Sequence, residues 1–301
     1  MRRPMLAYSA GRFDPESFKG DIPTEKCASH TTRRPRKANI MPRLAANLAY
    51  LFTERPFIER FAAAAAAGFT AVELQFPYDH AAGAVKAELE KHNLTMLGIN
   101  TPPGKAEAGE FGLACVPGRE AEFATLFSRA LDYAVAIGGR QMHVLAGKLP
   151  PEQRPAGETV FIRNLMQAAD LAAEKSITLL IEPINARDRP GYYLSRVEHA
   201  ADIIAKAERT NIRIQFDFYH VQIVGGDLIR RFETHLPVVG HVQVAAVPSR
   251  HEPDEGEVNY PAILAMLDRL GYCGYVGAEY RPRGRTEDGL GWARPHGVTP
   301  K

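Results

Sequence analysis

Cysteine, tryptophan and long apolar runs are all scarce in this chain. Its 301 residues include three cysteines, Cys27, Cys115 and Cys273, odd in number, far apart and without CxxC or Cys/His zinc spacing. That pattern excludes a disulfide scaffold and a structural zinc site, and it fits a reduced, cytoplasmic protein. The alanine run Ala62–Ala67 is too short and too weakly apolar to span a membrane. Met1-Arg2-Arg3-Pro4 has no apolar segment behind it, so it does not read as a secretory signal. A dominant charge is missing too, the formal net charge being +2. Residues 1–40 hold nine Lys/Arg against four Asp/Glu, a surplus of +5 that leaves −3 on the remainder. A mildly acidic body excludes the strong basic field of a nucleic-acid groove, so neither nucleic acid nor membrane is expected as a partner.

Residues 1–40 also lack an apolar period, contain four prolines and end in the basic cluster Arg33-Arg34-Pro35-Arg36-Lys37. Such a segment buries too little apolar surface to offset its ordering entropy. It is expected to be a disordered, dispensable extension ahead of Met41-Pro42-Arg43, with residues 41–301 forming the folded unit.

From residue 43 onward, short apolar runs alternate with helical patterns. Strand candidates are 44–48, 70–74, 95–100, 140–144, 177–182, 212–216, 238–244 and 275–279. Helix candidates are 56–67, 79–91, 119–137, 158–175, 197–209, 227–235 and 260–270. Gly68 after the alanine run and Gly138-Gly139 after Ile137 are helix stop signals. Eight strands with intervening helices in about 250 residues is the rhythm of a single (β/α)₈ barrel, and a doubly wound sheet is the competing architecture.

Each candidate strand carries a polar residue at or near its C-terminal end: Asn47, Glu73, Asn100, His143, Glu182, Asp217, Gln243 and Glu279. In a barrel those eight ends form one ring around the active-site face. Glu182, Asp217, Gln243 and Glu279 make a hard oxygen set suited to one divalent ion, Mg²⁺ or Mn²⁺, whose charge offsets the mutual repulsion of three carboxylates. His241 shares the face of Gln243 but lies two residues deeper, which reads as a buried, hydrogen-bonded histidine, with replacement of Gln243 as a metal ligand the alternative. Around the mouth, Lys148, Arg187, His220, Arg250 and His251 follow strand ends. Together with His143, Glu73 and Asn47 they are candidate substrate-binding residues. So many cationic groups beside a metal point to a small substrate that carries a carboxylate. In the loop after strand seven, Glu257 and Asn259 are candidates to hold the chain in place.

At these residues the chain resembles the hydroxypyruvate isomerase family of the xylose-isomerase-like barrels. The match runs through Ile181-Glu-Pro-Ile-Asn185, Phe216-Asp-Phe-Tyr-His220, Gly240-His-Val-Gln243, Arg250-His-Glu-Pro, Gly256-Glu-Val-Asn-Tyr260, Glu279-Tyr-Arg-Pro282, Thr286 and Gly289-Leu-Gly-Trp292. It covers about residues 41–293 in order. The resemblance implies interconversion of hydroxypyruvate and tartronate semialdehyde, with Glu182 and Glu279 matching the family's two catalytic glutamates. A related branch isomerises 2-oxo-tetronates, one carbon longer, and these motifs do not separate the two. Competing expectations are a ketose 3-epimerase, an apurinic-site endonuclease built on three zinc ions, and a non-catalytic sugar-acid binding protein. The former typically places His where Gln243 stands; the endonuclease requires many histidine ligands. A homo-oligomer is left open.

Overall fold

A computed structural model describes residues 42–300. The extension expected at residues 1–40 lies outside the described residues.

Nine parallel strand segments close a barrel with helices around it. They are β1 (Arg43–Asn47), β2 (Ala71–Glu73), β3 (Thr95–Met96), β4 (Gly98–Asn100), β5 (Gln141–His143), β6 (Thr178–Ile181), β7 (Ile212–Asp217), β8 (Val239–Val244) and β9 (Tyr275–Ala278). β1 pairs with β2 on one side and with β9 on the other. β3 and β4 are two parts of the single strand expected at 95–100. β3 pairs with β2, β4 with β5, and Leu97 between them bonds to both neighbours through Val72 O and the Gln141 amide. The ring is therefore an eight-stranded barrel.

The helices are α1 (Glu59–Ala66), α2 (Ala82–Lys91), α3 (Glu120–Ala136), α4 (Arg154–Glu174), α5 (Val197–Ala207), α6 (Phe218–Val224), α7 (Leu228–His235) and α8 (Tyr260–Arg269). α5 shows why they pack: Val197, Ala200, Ala201, Ile204 and Ala207 recur at three- and four-residue spacing and are all buried. Gly68 ends the alanine helix at φ 102°, and an added Cβ there would lie 2.3 Å from Thr299 O, so the C-terminal chain needs a glycine at this point. The seven-residue α6 has no counterpart among the expected helices. Asp217 ends β7 and at once caps α6, its carboxylate accepting from the Tyr219 amide at 2.9 Å. Among the described helices none is long and apolar enough to cross a membrane.

Strand alternation sorts the core. Leu44, Ala46, Leu48 and Val72 join the large apolar cluster, while Ala45, Ala71 and Leu97 form a separate small one with Tyr275 packed on it. Two residues further along the same faces stand Asn47, Glu73 and Gly277, and two beyond Gly277 stands Glu279. The barrel interior thus turns from apolar to polar toward the C-terminal ends of the strands.

Candidate active site

All eight strand-end residues, Asn47, Glu73, Asn100, His143, Glu182, Asp217, Gln243 and Glu279, are buried. Glu182 and Asp217 each keep one oxygen, Oε1 and Oδ2, buried and without a hydrogen-bond partner. Their other oxygens are used: Glu182 Oε2 accepts from Gln215 Nε2 at 3.0 Å, and Asp217 Oδ1 caps α6. Gln243 Nε2 donates to Glu279 Oε2 at 2.7 Å and to Glu73 Oε1 at 2.9 Å, while its Oε1 accepts from Gln215 Nε2 at 2.8 Å. Glu279 Oε2 also accepts from Asn47 Nδ2 at 2.8 Å, and Oε1 from Arg250 Nη2 at 2.7 Å. A continuous chain of hydrogen bonds therefore runs from Glu182 through Gln215 and Gln243 to Glu279.

His220 reaches the ring because α6 turns it back. Its Nε2 lies 3.6 Å from Asp217 Oδ2 and 3.8 Å from Glu182 Oε1. Its Nδ1 lies 2.6 Å from Asn185 Nδ2, whose oxygen is held by the Asp188 amide, and its Nε2 lies 3.5 Å from Arg250 Nη2, so a donor faces each ring nitrogen. Glu182, Asp217 and His220 offer ligand atoms within 4.8 Å of one another, a buried group that could hold a metal ion.

The electrostatics follow from burial. Burial, aided by the charges of Glu279 and Asp217, raises Glu182 well above the usual carboxylate range. Burial pushes Glu279 up to about 8 and Asp217 up to about 6, in both cases against the pull of Arg250. His143 is driven down to about 3 by burial, and His220 well below its usual value by burial and then by Arg250. Both imidazoles are thus neutral near pH 7. His143 has neither ring nitrogen hydrogen-bonded, and its Nδ1 is 3.4 Å from Glu182 Oε2.

Arg250 enters from the loop after β8. Its guanidinium lies between the rings of Tyr50 and Tyr219, 5.1 and 4.8 Å from their centroids, and pairs with Asp188 Oδ2 at 3.0 Å as well as with Glu279. Its Nε is buried and unpartnered. The residue sits at φ 58°, a left-handed conformation unusual for arginine, which the loop's own bonds hold: Arg250 N to Ala246 O and Arg281 N to Arg250 O, both 2.8 Å.

Three of the cations expected at the mouth make no described contact with the ring. Lys148 Nζ donates to Gly109 O at 2.7 Å on the exposed surface, and Arg187 is exposed. His251 Nδ1 points to Arg281 O at 2.7 Å, away from the ring. Arg189, also exposed, lies 4.3 Å above the Phe111 ring and its charge reaches His220. Asn259 does hold the loop, capping α8 through the Ala262 amide at 3.2 Å, and Glu257 accepts from Gln222 Nε2 at 3.1 Å. The expectation missed Gln215, Asn185, Asp188, Tyr50 and Tyr219. Gln215 had a legible signal, since it lies two residues before Asp217 on the same strand face. The others lie on loops and helix turns, where no period marks direction.

The model of the family described as xylose isomerase-like TIM barrel matches residues 61–296. The chain belongs to that family. Among its curated relatives, a 2-oxo-tetronate isomerase of Cupriavidus necator is 48% identical over 257 residues, covering 85% of this chain and 99% of the relative. The hydroxypyruvate isomerase of Escherichia coli is 40% identical over 260 residues, covering 85% and 100%. A crystal structure from Brucella melitensis titled as an AP endonuclease of family 2 is 48% identical, with a TM-score of 0.84, covering 85% of this chain and 99% of that one. This xylose isomerase-like barrel is thus an enzyme whose curated relatives are isomerases.

Proposed function

We propose that this xylose isomerase-like barrel moves a carbonyl group between C2 and C3 of a small 2-oxo acid, with a divalent metal. Hydroxypyruvate, giving tartronate semialdehyde, is the shortest such substrate; a 2-oxo-tetronate is one carbon longer. The observation that carries the reading is the buried pair Glu182 and Glu279, both with raised proton affinity, joined through Gln215 and Gln243 beside the unpartnered oxygens of Glu182 and Asp217.

The donor set fits a hard cation such as Mg²⁺ or Mn²⁺, held by Glu182, Asp217, Gln243 and Glu279 through oxygen. When bound, the ion supplies positive charge that offsets the carboxylates and stabilises the negative charge developing on the substrate oxygens. The proton work falls to the glutamates. One removes the proton from C3 of the 2-oxo form, and the C–H electrons become the C2–C3 double bond of an enediol. The other delivers a proton to C2, while the hydroxyl hydrogen passes from the C3 to the C2 oxygen. Carboxyls whose proton affinity is raised toward neutrality suit such an exchange. Neutral His220 and His143 can hydrogen-bond to the substrate oxygens. Arg250 orients Glu279 and offers positive charge to the substrate carboxylate.

The name of the 48% identical relative favours the four-carbon acid. The endonuclease reading fits poorly, because the metal-capable group here is two carboxylates and one histidine rather than a histidine-rich cluster. A panel of hydroxypyruvate, 2-oxo-tetronates and neutral ketoses, each with Mg²⁺ or Mn²⁺, tests the proposal. Turnover of one or both acids and not of the ketoses is expected; preference for a neutral ketose would sink it.

A further inference from the structure

Glu73 and His241 form a buried pair that the proton chemistry does not use. His241 Nε2 lies 2.6 Å from Glu73 Oε2, with both side chains almost wholly enclosed. Glu73 Oε1 accepts from Asn47 Nδ2 at 3.3 Å and from Gln243 Nε2 at 2.9 Å, so both of its oxygens are taken by protein donors. The cavity that the pair lines together with Asn47, His143, Gln243 and Glu279 is about 20 Å³, room for about one water. Glu73 therefore acts on its protein neighbours.

We infer that Glu73, held by His241, is a positioning residue that sets which end of the Gln243 amide faces the metal site. The inference rests on the metal reading above. An amide has a donor end and an acceptor end of nearly equal size, and only its surroundings choose between them. The Gln243 nitrogen is shared by two carboxylates, Glu73 and Glu279. Turning the amide over would set its carbonyl oxygen against both of them and its NH₂ against the NH₂ of Gln215. With the nitrogen pinned, the oxygen lies on the opposite side, beside Gln215, where its second lone pair can serve a cation.

Gly277 provides the room. It is the register neighbour of Gln243 across β8 and β9. A Cβ placed on it would come within 2.3 Å of Glu73 Oε1 and 3.0 Å of Gln243 Cγ. This strand glycine is required by the approach of Glu73, since its backbone is not in a conformation reserved for glycine.

The test is Mn²⁺ binding to metal-stripped full-length protein by titration calorimetry, which needs no substrate. Glu73→Gln should weaken Mn²⁺ roughly 10- to 100-fold, the range for residues that orient a metal ligand. In a Gln243→Glu background, where the side chain has two equivalent oxygens and nothing to orient, the same change should cost less than about threefold. A merely structural Glu73 would cost the same in both backgrounds, a non-zero cycle being the mark of coupling. Should Glu73→Gln not fold, Glu73→Asp keeps the charge but shortens the reach and should weaken Mn²⁺ in the same way. Wild-type affinity in a folded Glu73 variant, or an equal loss in the Gln243→Glu background, overturns the inference. Wild-type protein that binds no Mn²⁺ overturns the metal reading with it.

Discussion

Removing a single proton acceptor should separate chemistry from architecture. Glu182→Gln or Glu279→Gln keeps the side-chain volume and an oxygen, so the fold should survive while kcat falls by roughly 10² or more. Deuterium incorporation from D₂O into the substrate carbon should fall in parallel. Arg250 has a different part. It is enclosed by two aromatic rings and two carboxylates, so Arg250→Ala should raise KM for the acid substrate on the order of 10- to 100-fold, matching about 1.5–3 kcal/mol for a lost charge-assisted contact. Arg250→Lys should recover little, because a lysine cannot stack or form the paired bonds. Lys148→Ala and Arg187→Ala should leave KM within about twofold, since Lys148 donates to Gly109 O and Arg187 is exposed. The residues of the ring were legible because a strand ending forces the last inward side chain toward the mouth. Arg250 was legible only as one of several cations, and its distinction from His251 required the left-handed turn at Arg250 itself.

Among the elements, the strands and the longer helices were read directly, because their apolar periods of two and 3.6 residues survive in the sequence. The interruption at Leu97 and the short α6 were not, since neither extends far enough to show a period. α6 matters most, for without it His220 would continue along a loop instead of folding back beneath Asp217. The loop after β8 is held from outside. Glu252, buried, accepts from the Arg283 amide and Nε, while Arg283 also pairs with Asp254 and Glu255 at 2.8 and 3.0 Å. The Arg283 side chain is nearly half exposed, so its removal should cost little in overall stability. Its effect should fall on the loop: Arg283→Ala is expected to raise amide exchange across residues 248–258 and to raise KM several-fold. Asp254→Ala, which leaves the Glu252 contact, should change neither by much.

At the scale of the whole molecule, four buried carboxylates, Glu73, Glu182, Asp217 and Glu279, share one site. A carboxyl whose folded proton affinity exceeds its unfolded value binds more protons in the native state, so stability falls as pH rises between the two values. For Asp217 and Glu279, raised to about 6 and about 8, that window runs from about pH 4 to 8. Metal-stripped protein should therefore melt at a lower temperature at pH 8 than at pH 5.5. The rise in Tm on adding Mn²⁺ should be larger at pH 8, which calorimetry or dye-monitored melting would register. Removal of residues 1–40, for which the sequence offers no core, should leave Tm and turnover unchanged. Barrel closure has a further consequence, for synthesis. β1 leaves the ribosome early, but its partner β9 and the bond from Asn47 to Glu279 lie 232 residues later. Until then β1 presents one unpaired edge, and long-range parallel pairing of this kind is slow to form. The growing chain thus holds most of its helices long before it can hold a substrate, and a ribosome stalled before Tyr275 leaves an open, sticky sheet rather than a weak enzyme.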